Sequence, residues 1–285
     1  MVDTYGAHET RVYYVEESPY GQTPSNPAMF SVPAENIEPA INPSNIKIRG
    51  VGNIDLQAIK KGLRSASLKI AYPLPSEAPI NFLQYAKVEL NKSLSIQVLY
   101  YKGMFTSATD IISLLYTGCK IHKVSVECSI EDIVKATAEL LSQDLSVGTA
   151  KITGATYGDQ VGAVPFYESY VKKGGPALER VTDWKFNIEN NLKQVPVIRT
   201  TTGYLLKYLP YRHRNLTGEV TFEFESKDEF DDVIGDTEFS LEFGLGGSNK
   251  AVFSNCKWED VRTPTTVEDL VSLKASFVAR QVAIS

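Results

Sequence analysis

Histidine, cysteine and clustered carboxylates are the side chains best able to do chemistry, and this chain arranges few of them usefully. Its histidines are His8, His122 and His213. None has a Cys or His partner at metal-ligand spacing. Cys119 and Cys128 could meet across a strand bend, but a free cysteine is usually a small core residue. Asp228, Glu229, Asp231, Asp232, Asp236 and Glu238 crowd one stretch. The spacing of a calcium loop and its final bidentate Glu are missing, so this reads as a solvated helix face. Lys207-Tyr208-Leu209-Pro210-Tyr211-Arg212-His213-Arg214 interleaves basic and aromatic residues, a pattern that can hold single-stranded nucleic acid by charge and stacking. In an acidic chain, within a hairpin loop, a protein–protein contact is the better reading. No glycine-rich loop precedes a helix, and no nucleophile sits in a motif. We therefore expect no catalytic residue, no cofactor and no metal.

The elements that carry these residues are strands. Ser67 to Tyr72, Ser93 to Tyr100, Trp184 to Ile188, Val220 to Phe224, Phe239 to Leu245 and Val271 to Ala279 alternate apolar and polar residues, the period of a half-buried strand. Gly118 to Cys128 and Ile133 to Gln143 read as two more. Asp228 to Ile234 reads as a short helix, with acidic residues in its first turn favouring that end. Ala108 to Tyr116 reads as a second short helix, although its apolar doublets also suit a strand. Residues 1–45 are punctuated by Pro and Gly and read as an extended arm. Tyr13, Tyr14, Tyr20, Met29 and Phe30 would anchor it on a neighbour.

Composition narrows the class further. The chain has 285 residues, 43% hydrophobic content and a net charge of −5. That is enough for packed cores and too acidic for a surface built to grip phosphates. No basic segment followed by an apolar one opens the chain, and no apolar run is long enough for a membrane helix. We expect a soluble protein made in the cytosol, with no membrane partner.

One stretch occurs twice. Cys119-Lys120-Ile121-His122-Lys123-Val124 returns as Cys256-Lys257-Trp258-Glu259-Asp260-Val261. Ile130-Glu131-Asp132-Ile133-Val134 returns as Val267-Glu268-Asp269-Leu270-Val271, at the same interval that separates Cys119 from Cys256. The expected organisation is an arm (1–45), a first β domain (46–146), a glycine-rich linker (147–180) and a second β domain (181–285). Each domain would hold several antiparallel strands with one short flanking helix.

Several landmarks resemble the tail tube proteins of long-tailed viruses of bacteria and archaea. Glu17-Ser18-Pro19-Tyr20-Gly21-Gln22-Thr23-Pro24 is similar to the opening E-x-x-x-G-x-x-P arm of that family. Gly118-Cys119, Phe186-Asn187-Ile188-Glu189-Asn190-Asn191-Leu192 and Leu216-Thr217-Gly218-Glu219-Val220 follow in the family's order. The resemblance implies a mainly β fold: two tandem tube-type β-sandwich or open-barrel domains, whose strands join those of neighbours in a ring-wide β-barrel. It implies a structural virion protein whose rings stack into the conduit for the viral genome. Ordinarily six single-domain subunits complete a ring, so a duplicated chain should close one with three copies and pseudo-sixfold symmetry. Tape-measure, tail-end and tail-tip proteins would be its partners, viral DNA a transient contact, the virion tail its location and the host cytoplasm its place of assembly.

Within that frame, Lys135, Thr137, Glu139, Ser272, Lys274 and Ser276 are candidate lumen-facing residues. Tyr20, Phe30, Tyr208, Tyr211, Arg212 and Arg214 are candidate contacts between rings. Two alternatives stay open: the inner tube of a contractile injection system, and a carbohydrate-binding or adhesin module using Trp184, Trp258 and Tyr208.

Overall fold

The computed structural model describes residues 4–76, 81–159, 162–265 and 270–285. Strands β1 (Thr10–Glu16), β2 (Ala28–Val32), β3 (Asn36–Pro43), β4 (Ile46–Ile48), β5 (Ala58–Lys60) and β6 (Arg64–Pro73) come first. Short 3-10 turns at Asn81–Ala86 and Val88–Leu90 lead to β7 (Leu94–Tyr101), β8 (Ile111–Ser129), β9 (Lys135–Ser142) and β10 (Asp144–Gly148). Next come β11 (Thr156–Tyr157), β12 (Val171–Lys173), β13 (Val181–Glu189), β14 (Val195–Pro196), β15 (Leu206–Tyr208) and β16 (Asn215–Glu223). Helix α1 (Asp228–Ile234) precedes β17 (Phe239–Gly244), β18 (Lys250–Arg262), β19 (Ser272–Val278) and β20 (Gln281–Ile284). The chain is mainly β, as the alternating patterns require.

Three sheets share two long strands. The inner sheet runs β3-β6-β9-β8-β13-β16-β19-β18, antiparallel throughout. One outer sheet runs β2-β1-β7-β8-β10 and the other β12-β17-β18-β20. Strand β8 serves two sheets: Ser113–Thr117 lies between β7 and β10, and Lys123–Glu127 lies between β9 and β13. Between those parts, Gly118 adopts φ +65° at a bulge. Strand β18 bends in the same way at Asn255, φ +52°. Apolar side chains of the inner sheet meet those of the outer sheets in one continuous core. Ile70, Val124, Phe186, Val220, Phe253 and Phe277 are all buried there.

The pairing pattern repeats along the chain. Across β8 and β9, Val124 faces Ala138 and Lys123 faces Glu139, with a bulge between Ile121 and Lys123. Across β18 and β19, Val261 faces Ala275 and Asp260 faces Ser276, with a bulge between Trp258 and Asp260. Each of these positions in the second pair stands at the Cys119-to-Cys256 interval from its equivalent in the first. The pairs β7–β8 and β17–β18 match in the same manner: Ile96 opposes Tyr116, and Leu241 opposes Phe253. So do β3–β6 and β13–β16, where Ile37 opposes Ile70 and Trp184 opposes Val220. Part of the second sequence block, Val267 to Asp269, lies outside the described residues.

Two expectations need correction. Residues 108–116 form no helix; Ile111 begins β8. Its apolar doublets arise because this half of β8 is covered on both faces: Ile111 packs in a cluster with Leu99 and Tyr101, and Leu114 packs on the main core. The turn that flanks the first set of strands lies instead between β6 and β7, at Asn81–Ala86. The expected arm is also partly a strand pair of the chain's own sheet. Tyr13, Tyr14 and Met29 are buried internally on β1 and β2.

Candidate functional site

Alternation along the inner sheet leaves one face polar. Across it run rows of opposed charges. Lys69 and Lys123 flank Glu139, and Lys123 opposes Glu189 on the next strand. In another row Lys135 opposes Glu127, Glu127 opposes Lys185, and Lys185 opposes Glu219. Lys185 Nζ lies 2.6 Å from Glu127 Oε2. Between these rows the Ser125 hydroxyl donates to Asn187 Oδ1 at 2.6 Å. Lys135 is tethered to Asp132 at 2.9 Å; that contact holds the Asp132 carboxyl below the usual range and pushes the lysine up. Thr137 and Glu139 share this face, and Ser276 opposes Glu219 on it. Ser272 and Lys274 continue the same face of β19. All six candidate lumen residues thus occupy one face of one sheet.

Glu17 is a buried carboxylate that a search for reactive residues misses. It accepts hydrogen bonds from Gly21 N at 2.8 Å, Ser93 Oγ at 2.6 Å, Ser95 Oγ at 2.8 Å and Gly118 N at 2.8 Å. The E-x-x-x-G spacing therefore has a physical basis. A tight turn returns Gly21 N to the carboxylate, which also ties the end of β1 to the bulge of β8. The only signal for it in sequence is the motif itself.

Three of the candidate ring contacts gather at one corner. Lys120 Nζ sits 5.7 Å from the Tyr20 ring centroid and 4.8 Å from that of Tyr211. Burial lowers the Lys120 pKa and raises that of both phenols. Tyr208 lines the same hollow, of about 490 Å³, with Glu17, Asn91 and Lys92. Arg212 is exposed and its N–H bonds Asn190 O at 3.3 Å; Arg214 is half-buried. Phe30 is exposed elsewhere, its ring 5.5 Å from Tyr14.

The cysteines are buried and free. Burial holds the Cys119 thiol well above its ordinary pKa, and pushes Cys128 to about 11 and Cys256 to about 12. Trp184 and Trp258 are core residues, which removes two of the three aromatics offered for sugar binding. Among the described residues no group of His, Cys, Asp and Glu could hold a metal. No helix among them is long and apolar enough to cross a membrane.

A mainly β chain whose long strands are shared between sheets, with one polar face left open, has the build of a structural tail component. The family model described as phage tail tube protein matches residues 7–279, and the chain belongs to that family. Membership makes it a virion component that assembles with copies of itself and with other tail proteins. Among solved structures it is similar to a chain in the sixfold-symmetrised cryo-EM structure of the anti-feeding prophage baseplate. Identity is 13% and the TM-score 0.38, over 53% of this chain and 99% of that one. No curated protein matches the chain.

Proposed function

We propose that this chain is a tail tube subunit carrying the same structural unit twice, and that three copies close a ring with pseudo-sixfold symmetry. The repeated register supports the duplication most directly. On this reading the first unit runs from β1 to β10 and the second from β12 to β20, so most of the expected arm belongs to the first unit. The rings stack into the conduit for the viral genome, and the role is structural, without catalysis. Tape-measure, tail-end and tail-tip proteins meet the tube at its ends and inside it. Assembly takes place in the host cytoplasm.

The polar face of the inner sheet lines the lumen. Its alternating Lys and Glu pairs suit that role, because a net basic wall would hold the phosphate backbone and slow its passage. Mixed charge leaves the wall wetted and only weakly attractive, so contact with DNA is transient. Native mass spectrometry with negative-stain microscopy of purified protein tests the count. Rings of three chains are expected; rings of six two-unit chains would refute it.

A further inference from the structure

The junction between the two units lies inside the chain, where β8 joins β13. Val124 opposes Ile188, Val126 opposes Phe186 and Cys128 opposes Trp184. Each unit also carries the other half of such a junction. The counterpart of β13 is β3, with Ile37 matching Trp184 and Ile41 matching Ile188; β3 pairs only with β6 among the described residues. The counterpart of β8 is β18, whose end from Asp260 onward pairs only with β19 among them. We infer that these two bare edges join in a second copy of this chain. Strand β3 of one protomer lies antiparallel to residues 260–265 of the next. Ile41 then opposes Val261, Pro39 opposes Thr263 and Ile37 opposes Thr265. This seam rests on the ring reading above and names the contact that closes the ring.

Backbone phase agrees with the register. Ser44 N–H bonds Leu63 O at 2.8 Å, continuing the β3–β6 ladder, so even-numbered residues of β3 face β6. The N–H and C=O groups of odd-numbered residues, Ile37 and Ile41 among them, point away from β6. Across the internal junction Asn190 N–H bonds His122 O at 2.8 Å, which puts Ile188, Phe186 and Trp184 in the bonding phase. Their counterparts are Ile41, Pro39 and Ile37, the outward set. Pro39 and Pro43, the latter standing where Asn190 stands, lack an N–H, so the seam has two ladder bonds fewer than its internal model. Pro264 falls in the opposite phase and removes none.

The side chains point the same way. Ile188 is fully buried, whereas its counterpart Ile41 is 47% exposed. In the second unit, Leu206 and Leu209 are buried against Leu63 and Leu141 of the first. Strand β16 matches β6 in register, Val220 standing where Ile70 stands. Counting back from Leu206 and Leu209 by that same interval gives Leu56 and Ile59, which are 37% and 60% exposed. The counterpart of Leu141 is Val278, 36% exposed. The two exposed halves complete this cluster only when one copy docks on another. Prolines at an edge can also guard it against pairing, so the seam calls for a direct test.

Ala40 and Arg262 fall opposite each other at a non-bonded pair, where side chains approach within disulfide reach. The full-length Ala40→Cys, Arg262→Cys protein is oxidised mildly after assembly and run on a non-reducing gel. Covalent dimers and closed trimers are expected, with none from either single variant or from Asn36→Cys paired with Arg262→Cys. Rings or tubes in micrographs without this cross-link would overturn the seam and leave the tube reading standing. Absence of rings and tubes from the unmodified protein would overturn both. Closed covalent hexamers would keep the seam and overturn the count of three. If the double variant fails to fold, Leu56→Asp on the exposed hairpin replaces it. It should lose rings while its circular dichroism stays unchanged, and intact rings would overturn the seam.

Discussion

Glu17 shows how one carboxylate can organise a segment that otherwise reads as loop. It is buried, and its four donors come from three separate places in the chain. Hydrogen bonds to a charged acceptor are worth more than neutral ones, and Gln offers an NH₂ group to sites that already hold donors. Glu17→Gln should therefore destabilise the protein by about 2 kcal/mol, read from urea unfolding. The buried thiols make a second prediction at this scale. With Cys128 and Cys256 pushed to about 11 and about 12, and Cys119 also raised, all three stay protonated at pH 8. A thiol reagent at that pH should label none of them until denaturant is added. Fast labelling of the native protein would show that the core opens locally.

At the scale of elements, the bent strands depend on two residues of different type in the same backbone state. Gly118 adopts φ +65°, and a Cβ there would lie 2.6 Å from Gln143 Cβ. Its counterpart Asn255 adopts φ +52° in the open, with its amide donating to Glu238 Oε2 at 2.9 Å. Gly118→Ala should cost more than about 1 kcal/mol, while Asn255→Gly should change stability by only a few tenths; thermal unfolding of both variants checks the contrast. A related constraint explains the Leu-Thr-Gly-Glu-Val landmark. A Cβ at Gly218 would meet the Phe277 ring at 2.5 Å, and the positions matched in register on β6 and β9 are Leu68 and Leu140. The β16–β19 pair puts its bulk on one strand, where the β6–β9 pair shares it between two. Helix α1 is held by a buried charge cluster: Glu229 lies 2.7 Å from Arg180, and Trp258 Nε1 donates to Asp232 Oδ2 at 3.2 Å. Its acidic run is thus only partly the solvated face that composition suggests.

For the whole molecule, reversing the charges on the proposed lumen face is the direct probe of the proposed conduit. Lys135→Glu with Lys274→Glu should leave tubes assembled and alter DNA delivery, scored by infectivity alongside micrographs. Loss of tubes would place those residues in an interface instead. Truncation of residues 1–30 has a different expected outcome from that of a free arm. It removes β1, which lies between β2 and β7 and buries Val12, Tyr13, Tyr14 and Val15. The truncated chain should come out insoluble; soluble rings that merely stack poorly would show that β1 is dispensable to the core.

Alternating residues made most strands legible in the sequence, because burying one face of a sheet imposes a period of two. The acidic first turn marked α1 for a similarly local reason. The recurrence of the Cys119 block at Cys256 was legible too, and the two cysteines stand at matching register positions on β8 and β18. Sequence could not reveal that the first half of β8 is a strand: it is covered on both faces, which erases its period. Nor could it show that Glu17, Gly21 and Gly118 converge, since Gly118 is far from the other two along the chain and their meeting depends on the turn between β1 and β2. The recurring block placed the end of β18 beside its match in β8, but only the tertiary register leaves it and β3 without a second partner strand among the described residues. A bare edge is defined by which partner a strand lacks, and partners are assigned only when the whole sheet is assembled.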